Sequence, residues 1–195
     1  TYVDPSGWEQ GNLWAGGEPF PMGYRDQNGS PHGPFLLDNA KIRDKWLAEA
    51  RRLGSPIGDG FSYPCLAESP EATGYLQAFE RGYISYCGSG TAQVTYYQTT
   101  FLPRIIASEN ASAWNSTVSI RNLGSTTVSI TFFTPDGRVL DSRVYQDFPG
   151  NATWEVDVRG VLYDQFLSRV DSNPVFEGSA IVAADRDVAV VVRTE

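Results

Sequence analysis

The chain has 195 residues, of which 41% are apolar, and a formal net charge of -8. This length and apolar content suffice for one large domain or two small ones, each with its own hydrophobic core. The negative charge argues against a general affinity for nucleic acid or for anionic membranes, because both attract cationic surfaces. No apolar run approaches the roughly 18 residues of a membrane-spanning helix, and we predict no membrane span.

Residues 1–37 are rich in glycine, proline and aromatic residues and show no sustained periodicity. They are predicted to form an irregular arm, whose aromatic rings are unfavourable to leave in water. Either these rings pack on the chain's own modules, or they contact another subunit or stack on a sugar. The candidates for contact with a partner protein or a glycan are Trp8, Trp14, Phe20 and Tyr24.

Residues 38–53, "DNAKIRDKWLAEARRL", have the pattern of an amphipathic helix. Asp38 or Asn39 is suited to accept a hydrogen bond from an N-terminal amide, and Gly54 is suited to the left-handed backbone that ends a helix. One stripe of the helix is apolar and is predicted to face a core: Ile42, Trp46, Ala50 and Leu53.

The two cysteines of the chain, Cys65 and Cys87, are predicted to form a disulfide. No Cys-x-x-Cys motif or neighbouring histidine indicates redox chemistry or a zinc site instead. The bond would close a loop of about 23 residues and stabilise the fold by about 3 kcal/mol. Oxidised cysteines imply export, and the chain begins at Thr1 rather than at methionine. We therefore expect a secreted or cell-surface protein from which an upstream segment has been removed.

The stretch "AFERGYISYC", residues 78–87, places Glu80 and Arg81 between two runs of apolar and aromatic residues. Gly82 is predicted to form a turn or bulge, which leaves Glu80 and Arg81 at the hairpin edge, in water. A glycosidase acid needs a second carboxylate about 5 to 10 Å away, and none is indicated, so Glu80 is interpreted as structural. The residues predicted to pack in this hairpin are Phe79, Ile84 and Tyr86.

From about residue 94 apolar and polar residues alternate, which predicts β-strands. The predicted strands are residues 94–102, 117–123, 126–134, 138–145, 152–158, 176–184 and 187–194. Seven short strands without a long helix between them are typical of an antiparallel β-sandwich with one shared core. A short helix or turn is predicted in "VLYDQFLSRV", residues 161–170.

The sequence lacks the common motifs of nucleophilic, phosphate-binding and zinc-dependent enzymes. His32 is the only histidine, and it lies in a loop of glycine and proline where it is predicted to be structural. We therefore predict no catalytic residue, no metal site and no cofactor, and we expect that the chain is not an enzyme.

Four Asn-x-Ser/Thr sequences lie in predicted loops, where an oligosaccharide would not disturb a core. Several are expected by chance in a chain rich in these residues. The candidate glycosylation sites are Asn28, Asn110, Asn115 and Asn151.

The helix and the hairpin together resemble the LGFP-like repeat of bacterial secreted and cell-surface proteins. The resemblance covers about residues 39–87, in one copy, through "KIRDKWLAEARRLGSPIGDGF" and "GYLQAFERGYISY". The corresponding residues are Ile42, Trp46, Leu53, Gly54, Pro56, Gly58, Phe79, Gly82 and Tyr86. The resemblance implies a small α+β module over residues 38–92, with association with a cell wall or glycan as the usual conjecture.

Residues 93–195 resemble an immunoglobulin-like module appended to bacterial extracellular proteins. The shared features are a Leu-Pro strand in "FLPRIIA", a Trp-x-Ser entry in "AWNSTV", the turn "NLGS" and the final strands that begin with "GSAIVAA". The resemblance implies an immunoglobulin-like antiparallel sandwich and an extracellular location, and it indicates little about function.

These features predict a mainly β, non-catalytic extracellular protein, a structural subunit of a bacterial cell-surface or filamentous assembly. The expected partners are other copies of the chain or other surface proteins, contacted through the aromatic arm or a sandwich edge. The final run "DVAVVVRTE" is apolar enough either to be a protected edge or to add another chain's strand. The alternative is a glycan- or cell-wall-binding module that stacks exposed aromatic rings on cell-wall or extracellular polysaccharide.

Overall fold

The computed structural model describes residues 2–3, 9–15, 18–21, 23–33, 35–65, 72–110, 113–163, 167 and 174–195, the first three ranges by their backbone. The fold is mainly β with antiparallel sheets, which confirms the predicted class. The chain divides into two compact units, Thr1–Tyr97 and Gln98–Glu195. Within the first unit, the predicted separation of residues 1–37 from residues 38–92 stays a prediction.

Short strands occur in residues 1–37, where the sequence predicts an irregular arm. β1 (Tyr2–Val3), β2 (Glu9–Ala15) and β3 (Glu18–Pro21) form an antiparallel sheet, and β4 (Tyr24–Asp26) pairs with β5 (Pro31–His32). The expectation of an irregular segment is wrong over these strands. Four of these five strands have two to four residues, which leaves little room for an alternating side-chain pattern, and the seven residues of β2, "EQGNLWA", do not alternate.

The predicted helix forms, and α1 spans Ala40–Leu53. Asn39 caps the first turn, since its side-chain oxygen accepts the N–H of Ile42 at 3.2 Å. Gly54 ends the helix with a φ of 78°, and its N–H donates to the carbonyl of Ala50 at 2.8 Å. The apolar stripe is buried as predicted: Ile42, Trp46, Ala50 and Leu53.

α1 packs on a four-stranded antiparallel sheet, in the order β6-β7-β8-β9. Its strands are β6 (Phe61–Pro64), β7 (Thr73–Phe79), β8 (Gly82–Cys87) and β9 (Gln93–Tyr96). Trp46 of the helix stacks on Phe79 of β7 with ring centroids 6.4 Å apart, and Ile84 of β8 is buried beside them. The predicted hairpin of residues 78–87 is confirmed, with Glu80 and Arg81 in its turn.

Cys65 and Cys87 form the disulfide that the sequence predicts. Cys65 follows β6 and Cys87 ends β8, so the bond joins the two neighbours of β7. Gly74 of β7 lies at this crossing, where an added Cβ atom would stand 2.6 Å from the sulfur of Cys65. The close approach of β7 to the disulfide therefore requires a residue without a side chain.

The second unit contains two antiparallel sheets. Its strands are β10 (Gln98–Ser108), β11 (Ser116–Asn122), β12 (Thr126–Phe133), β13 (Val139–Phe148), β14 (Thr153–Asp157), β15 (Val175–Ala184) and β16 (Val188–Thr194). β10, β15, β12 and β13 lie side by side in that order, and β14, β11 and β16 form the other sheet. The first predicted strand, residues 94–102, is divided at Tyr97, whose N–H donates to the carbonyl of Arg81 at 3.0 Å.

The two sheets enclose one hydrophobic core, the arrangement of a β-sandwich. Its largest buried side chains are Ile105, Ile120, Ile130, Phe132, Phe148, Trp154, Leu162 and Phe176. A short helix, α2 (Val158–Tyr163), follows β14 and adds Val158 and Leu162 to the core. It begins three residues before the short helix predicted at 161–170, of which residues 164–166 and 168–170 lie outside the described residues.

Replacing both Cys65 and Cys87 by serine is expected to lower the free energy of unfolding by about 3 kcal/mol, because the open chain regains loop entropy when it unfolds. Urea unfolding of the native chain, the reduced chain and the double variant measures the difference. Reductant should destabilise the native chain and leave the double variant unchanged. Two alkylatable thiols in the native protein would contradict the disulfide.

Candidate functional site

The structure locates only part of the predicted aromatic contact set. Trp8 lies outside the described residues, and Trp14 and Phe20 lie in β2 and β3, where the description covers the backbone. Tyr24 in β4 is 8% exposed, so its ring packs within the protein and offers little surface to a partner or a sugar. The roles of Trp8, Trp14 and Phe20 stay predictions.

Tyr24 is held in a stack of three rings. His32 lies 5.0 Å and Phe35 lies 6.0 Å from it, centroid to centroid, with ring planes within about 10° of parallel. Burial, and then the charge of Asp26, raise the pKa of Tyr24. His32 also lies 3.1 Å from the Asp26 carboxylate, which two backbone N–H groups of the turn bind as well. This arrangement gives His32 the structural role that the sequence predicts for it.

Burial and hydrogen bonding shift the pKa of the Asp26 carboxylate in opposite directions. Burial raises the pKa of Asp26, but the hydrogen bonds from His32 and from the two backbone N–H groups outweigh it, so the pKa lies below its ordinary value. A carboxylate that accepts three hydrogen bonds on its two oxygens serves as the anchor of a turn. Asp26 therefore stabilises the β4–β5 hairpin.

Glu80 and Arg81 are buried, and the expectation that they lie in water is wrong. Glu80 is 5% exposed and Arg81 is 4% exposed, and the Arg81 guanidinium stands 3.7 Å from the Glu80 carboxylate. The carboxylate also accepts the backbone N–H of Ser55 at 3.2 Å. Gly82, predicted to form a turn or bulge, begins β8 instead, and the turn itself is formed by Glu80 and Arg81. The glycine pattern carries no information about what covers that turn. Here the end of α1 covers it.

Arg81 joins the hairpin to the end of α1. Its Nε donates to the carbonyl of Arg52 at 2.7 Å and one terminal nitrogen donates to the carbonyl of Arg51 at 2.9 Å. The last carbonyls of a helix have no partner within the helix, and a cation is favourable near them. Burial lowers the pKa of Arg81 and the charge of Glu80 opposes that shift. The backbone adds a bond from the N–H of Arg81 to the carbonyl of Leu53 at 3.0 Å.

Gly54 makes this junction sterically feasible. Its φ is 78°, and an added Cβ atom would overlap the carboxylate of Glu80. The sequence signal for the junction therefore has two parts. The helix ends in "RRLG", residues 51–54, and a turn between two apolar runs contains an arginine, Arg81, 30 residues after Arg51. The junction encloses the Glu80 carboxylate, the candidate acid catalyst of the sequence, and neutralises its charge. This geometry is that of a structural clamp.

The four candidate glycosylation sites differ in how their side chains are used. Asn28 and Asn151 are exposed in turns. Asn115 is engaged, since its side-chain oxygen accepts the N–H of Ser108 at 2.8 Å and its amide nitrogen donates to the carbonyl of Ala113 at 2.8 Å. Asn110 is exposed, and the residues that complete its sequence motif lie outside the described ones. A glycan on Asn115 would disrupt these bonds, so its structural role has the better support.

The edge strands of the sandwich also bear on function, because their outer backbone groups can bind another strand. β10 contains Pro103 and a register irregularity between Leu102 and Ile105, both of which hinder pairing. β14 is five residues long and carries Glu155 and Asp157 on its outer face. These two edges therefore have the devices by which sheets avoid unwanted pairing.

β16 carries one charged residue on its outer face, Arg193, and otherwise lacks these devices. Its sequence, "VAVVVRT", contains no proline and no lysine, and its register with β11 is regular over all seven residues. Val191 on its outer face is 62% exposed, and the valines on its inner face are only partly buried although they pack against the core. An apolar, regular edge of this kind is suited to accept a strand from another chain.

The described residues contain no group of three or more His, Cys, Asp or Glu side chains that could hold a metal ion. No helix within the described ranges is long and apolar enough to cross a membrane. Comparisons with protein-family models, with curated proteins and with solved structures each returned no match. The case for a function therefore rests on the residues of this chain.

Arg81→Met is expected to lower the free energy of unfolding by about 3 to 5 kcal/mol, because it leaves the Glu80 carboxylate buried without its cation. The matched control is Arg104→Met, which removes an exposed ion pair with Glu177 and should change stability by less than about 1 kcal/mol. Urea unfolding measures both. Equal stabilities for the two variants would show that the Arg81 clamp contributes nothing beyond a surface contact.

Asn115→Ala is expected to lower the free energy of unfolding by about 1 to 3 kcal/mol, since it removes the side-chain hydrogen bonds of a part-buried amide to Ser108, Ala113 and Asn110. Asn28→Ala serves as the control, because that side chain is exposed. Thermal unfolding of the two variants tests the difference. If Asn115→Ala is as stable as the Asn28→Ala control, the structural role of Asn115 is wrong and Asn115 becomes a candidate glycosylation site again.

Proposed function

We propose that this chain is a non-catalytic extracellular structural protein, a subunit of a bacterial cell-surface or filamentous assembly. In this proposal residues 38–92 form an LGFP-like module and residues 93–195 form an immunoglobulin-like sandwich. The chain works by holding surfaces together, and its partners are other copies of itself or other surface proteins.

The observation that carries the proposal is the open edge of β16. Proteins that stay monomeric protect such an edge, since unpaired N–H and C=O groups recruit further strands. β10 and β14 are protected and β16 is not. The difference within one sandwich supports pairing at β16 as a function, because β10 and β14 of the same sandwich are protected.

The environment of Glu80 supports a non-catalytic role. A general acid must reach its substrate and needs a proton affinity suited to transfer. Glu80 is covered by the end of α1 and bound by Arg81 and Ser55. The acids at the surface, such as Asp136 and Glu177, pair with nearby arginines in exposed positions.

An extracellular location is supported by the disulfide between Cys65 and Cys87. Disulfides of this kind persist where the medium is oxidising, as it is outside the cell.

A glycan-binding module is the second candidate. It is favoured by Trp114, whose ring is 69% exposed in the loop before β11, since an exposed indole can stack on the face of a sugar. A single such ring gives weak binding, and Tyr24, another candidate for a sugar platform, is buried. Assembly is therefore the better-supported function.

Light scattering on the eluate of a size-exclusion column tests the proposal. We expect the purified chain to form assemblies larger than one copy, in proportions that rise with concentration, and to hydrolyse no polysaccharide, peptide or ester. A monomer that is retarded on polysaccharide gels, with retardation lost in Trp114→Ala, would favour glycan binding. Hydrolysis of any substrate that disappears in Glu80→Gln would overturn the non-catalytic assignment.

A further inference from the structure

We infer that the partner of β16 is β16 of a second copy, paired antiparallel about a twofold axis with Val190 opposite Val190. The inference rests on the proposed function and specifies its contact. Three features of the described residues carry it: the direction of the free backbone groups, the partial burial of the inner valines, and the charges at the two ends of the strand.

The free backbone groups follow from the register of β16 with β11. Asn115 and Glu195 exchange both of their backbone hydrogen bonds, at 2.7 and 3.0 Å. In an antiparallel ladder such pairs recur at every second residue. Hence Ala189, Val191 and Arg193 bond to β11 through their backbone. The N–H and C=O groups of the alternate residues point to the open edge: Val188, Val190, Val192 and Thr194.

The inner face of β16 is apolar and incompletely covered. Val188, Val190 and Val192 pack against the sandwich core but remain only partly buried. A second β16 alongside would place the same three valines of the other copy next to them, and would extend the core across the contact. An apolar strand is therefore a better occupant than a polar one, and this chain supplies such a strand itself.

Geometry limits the registers that two copies can adopt. Residues with outward-pointing backbone groups must lie opposite each other, so the register can change only in steps of two residues. With Val190 opposite Val190, the outer face sets Asp187 opposite Arg193 and Ala189 opposite Val191. The twofold axis repeats each contact, so one register yields two attractive charge pairs and two apolar pairs.

The neighbouring registers are less favourable. With Val191 opposite Val191, Asp187 lies opposite Glu195 at both ends, and the charged Arg193 lies opposite Ala189. With Val188 opposite Val190, only residues 188–190 of the two strands overlap. The register centred on Val191 has the longest overlap, residues 188–194 against 188–192 for the register centred on Val190, but it sets like charges directly opposite, which destabilises a strand pair. The third register has the shortest overlap and forms the fewest backbone bonds. The charges thus select the register centred on Val190.

The first test changes these charges and measures the dimer dissociation constant by sedimentation velocity. Asp187→Arg and Arg193→Asp should each weaken the dimer about tenfold, because each converts two attractive pairs into two repulsive ones. The double variant carries opposite charges again and should restore the affinity of the unchanged chain. The control is Glu155→Arg, on the far strand of the same sheet, which alters net charge as Asp187→Arg does and should leave the dissociation constant unchanged.

The second test measures hydrogen exchange of individual amides by NMR. The amides of Val190 and Val192 should exchange slowly when the chain is concentrated and rapidly when it is dilute, whereas those of Ala189 and Val191 should be slow in both. A role of Asp187 or Arg193 in folding alone would not produce this alternation. The alternation reports directly on which side of β16 gains a partner.

The outcomes separate the contact from the function. If the chain associates but both single variants bind as tightly as the unchanged chain, the β16 contact is wrong and the assembly function stands. If Asp187→Arg tightens the dimer, the register centred on Val191 is correct instead and our register is overturned. If the chain stays monomeric at every concentration, the β16 contact is wrong, and retention on polysaccharide would then remove the assembly function as well.

Discussion

Every backbone N–H and C=O group of a β-strand needs a partner, and both units are organised by this requirement. In the first unit four strands meet it through the ladder of β6 to β9, and α1 covers one face of that sheet. In the second unit two sheets meet it within the sandwich and bury their inner faces against each other. At the edges of a sheet the outer backbone groups have no partner strand. β10 and β14 carry residues that hinder pairing there, and β16 is apolar and regular.

The junction between α1 and the β7–β8 hairpin satisfies the same requirement with a side chain. The last carbonyls of α1 lack partners in the helix, and the Arg81 guanidinium binds two of them inside the protein. A buried guanidinium is unfavourable alone, so Glu80 accompanies it, and the N–H of Ser55 also binds the carboxylate. Gly54 leaves the space that this group of polar atoms occupies. One polar cluster therefore sets the position of a helix on a sheet.

Much of the fold could be predicted because its signals are local. The helix is visible in a stripe that repeats every three or four residues and in residues such as Asn39 and Gly54 at its ends. The sandwich strands are visible because one face of each is buried and the other is not. The strands near the N-terminus carry no such signal, since most have two to four residues and the seven residues of β2 do not alternate between polar and apolar. The burial of Glu80 and Arg81 depends on α1, which lies about 30 residues earlier in the chain.

By itself the sequence determined the mainly β class, α1, the strands of the sandwich and the pairing of Cys65 with Cys87, because periodicity, end residues and a single cysteine pair each have one simple solution. The tertiary structure alone decided which polar groups are buried and which edges remain open. Burial depends on what packs over a residue, and an open edge depends on the order of strands in a sheet, so neither quantity is contained in any local stretch of residues. Glu80 illustrates the first case, because the sequence predicts it to be exposed and α1 encloses it. β16 illustrates the second, because it is an apolar strand that the sheet order places at an edge.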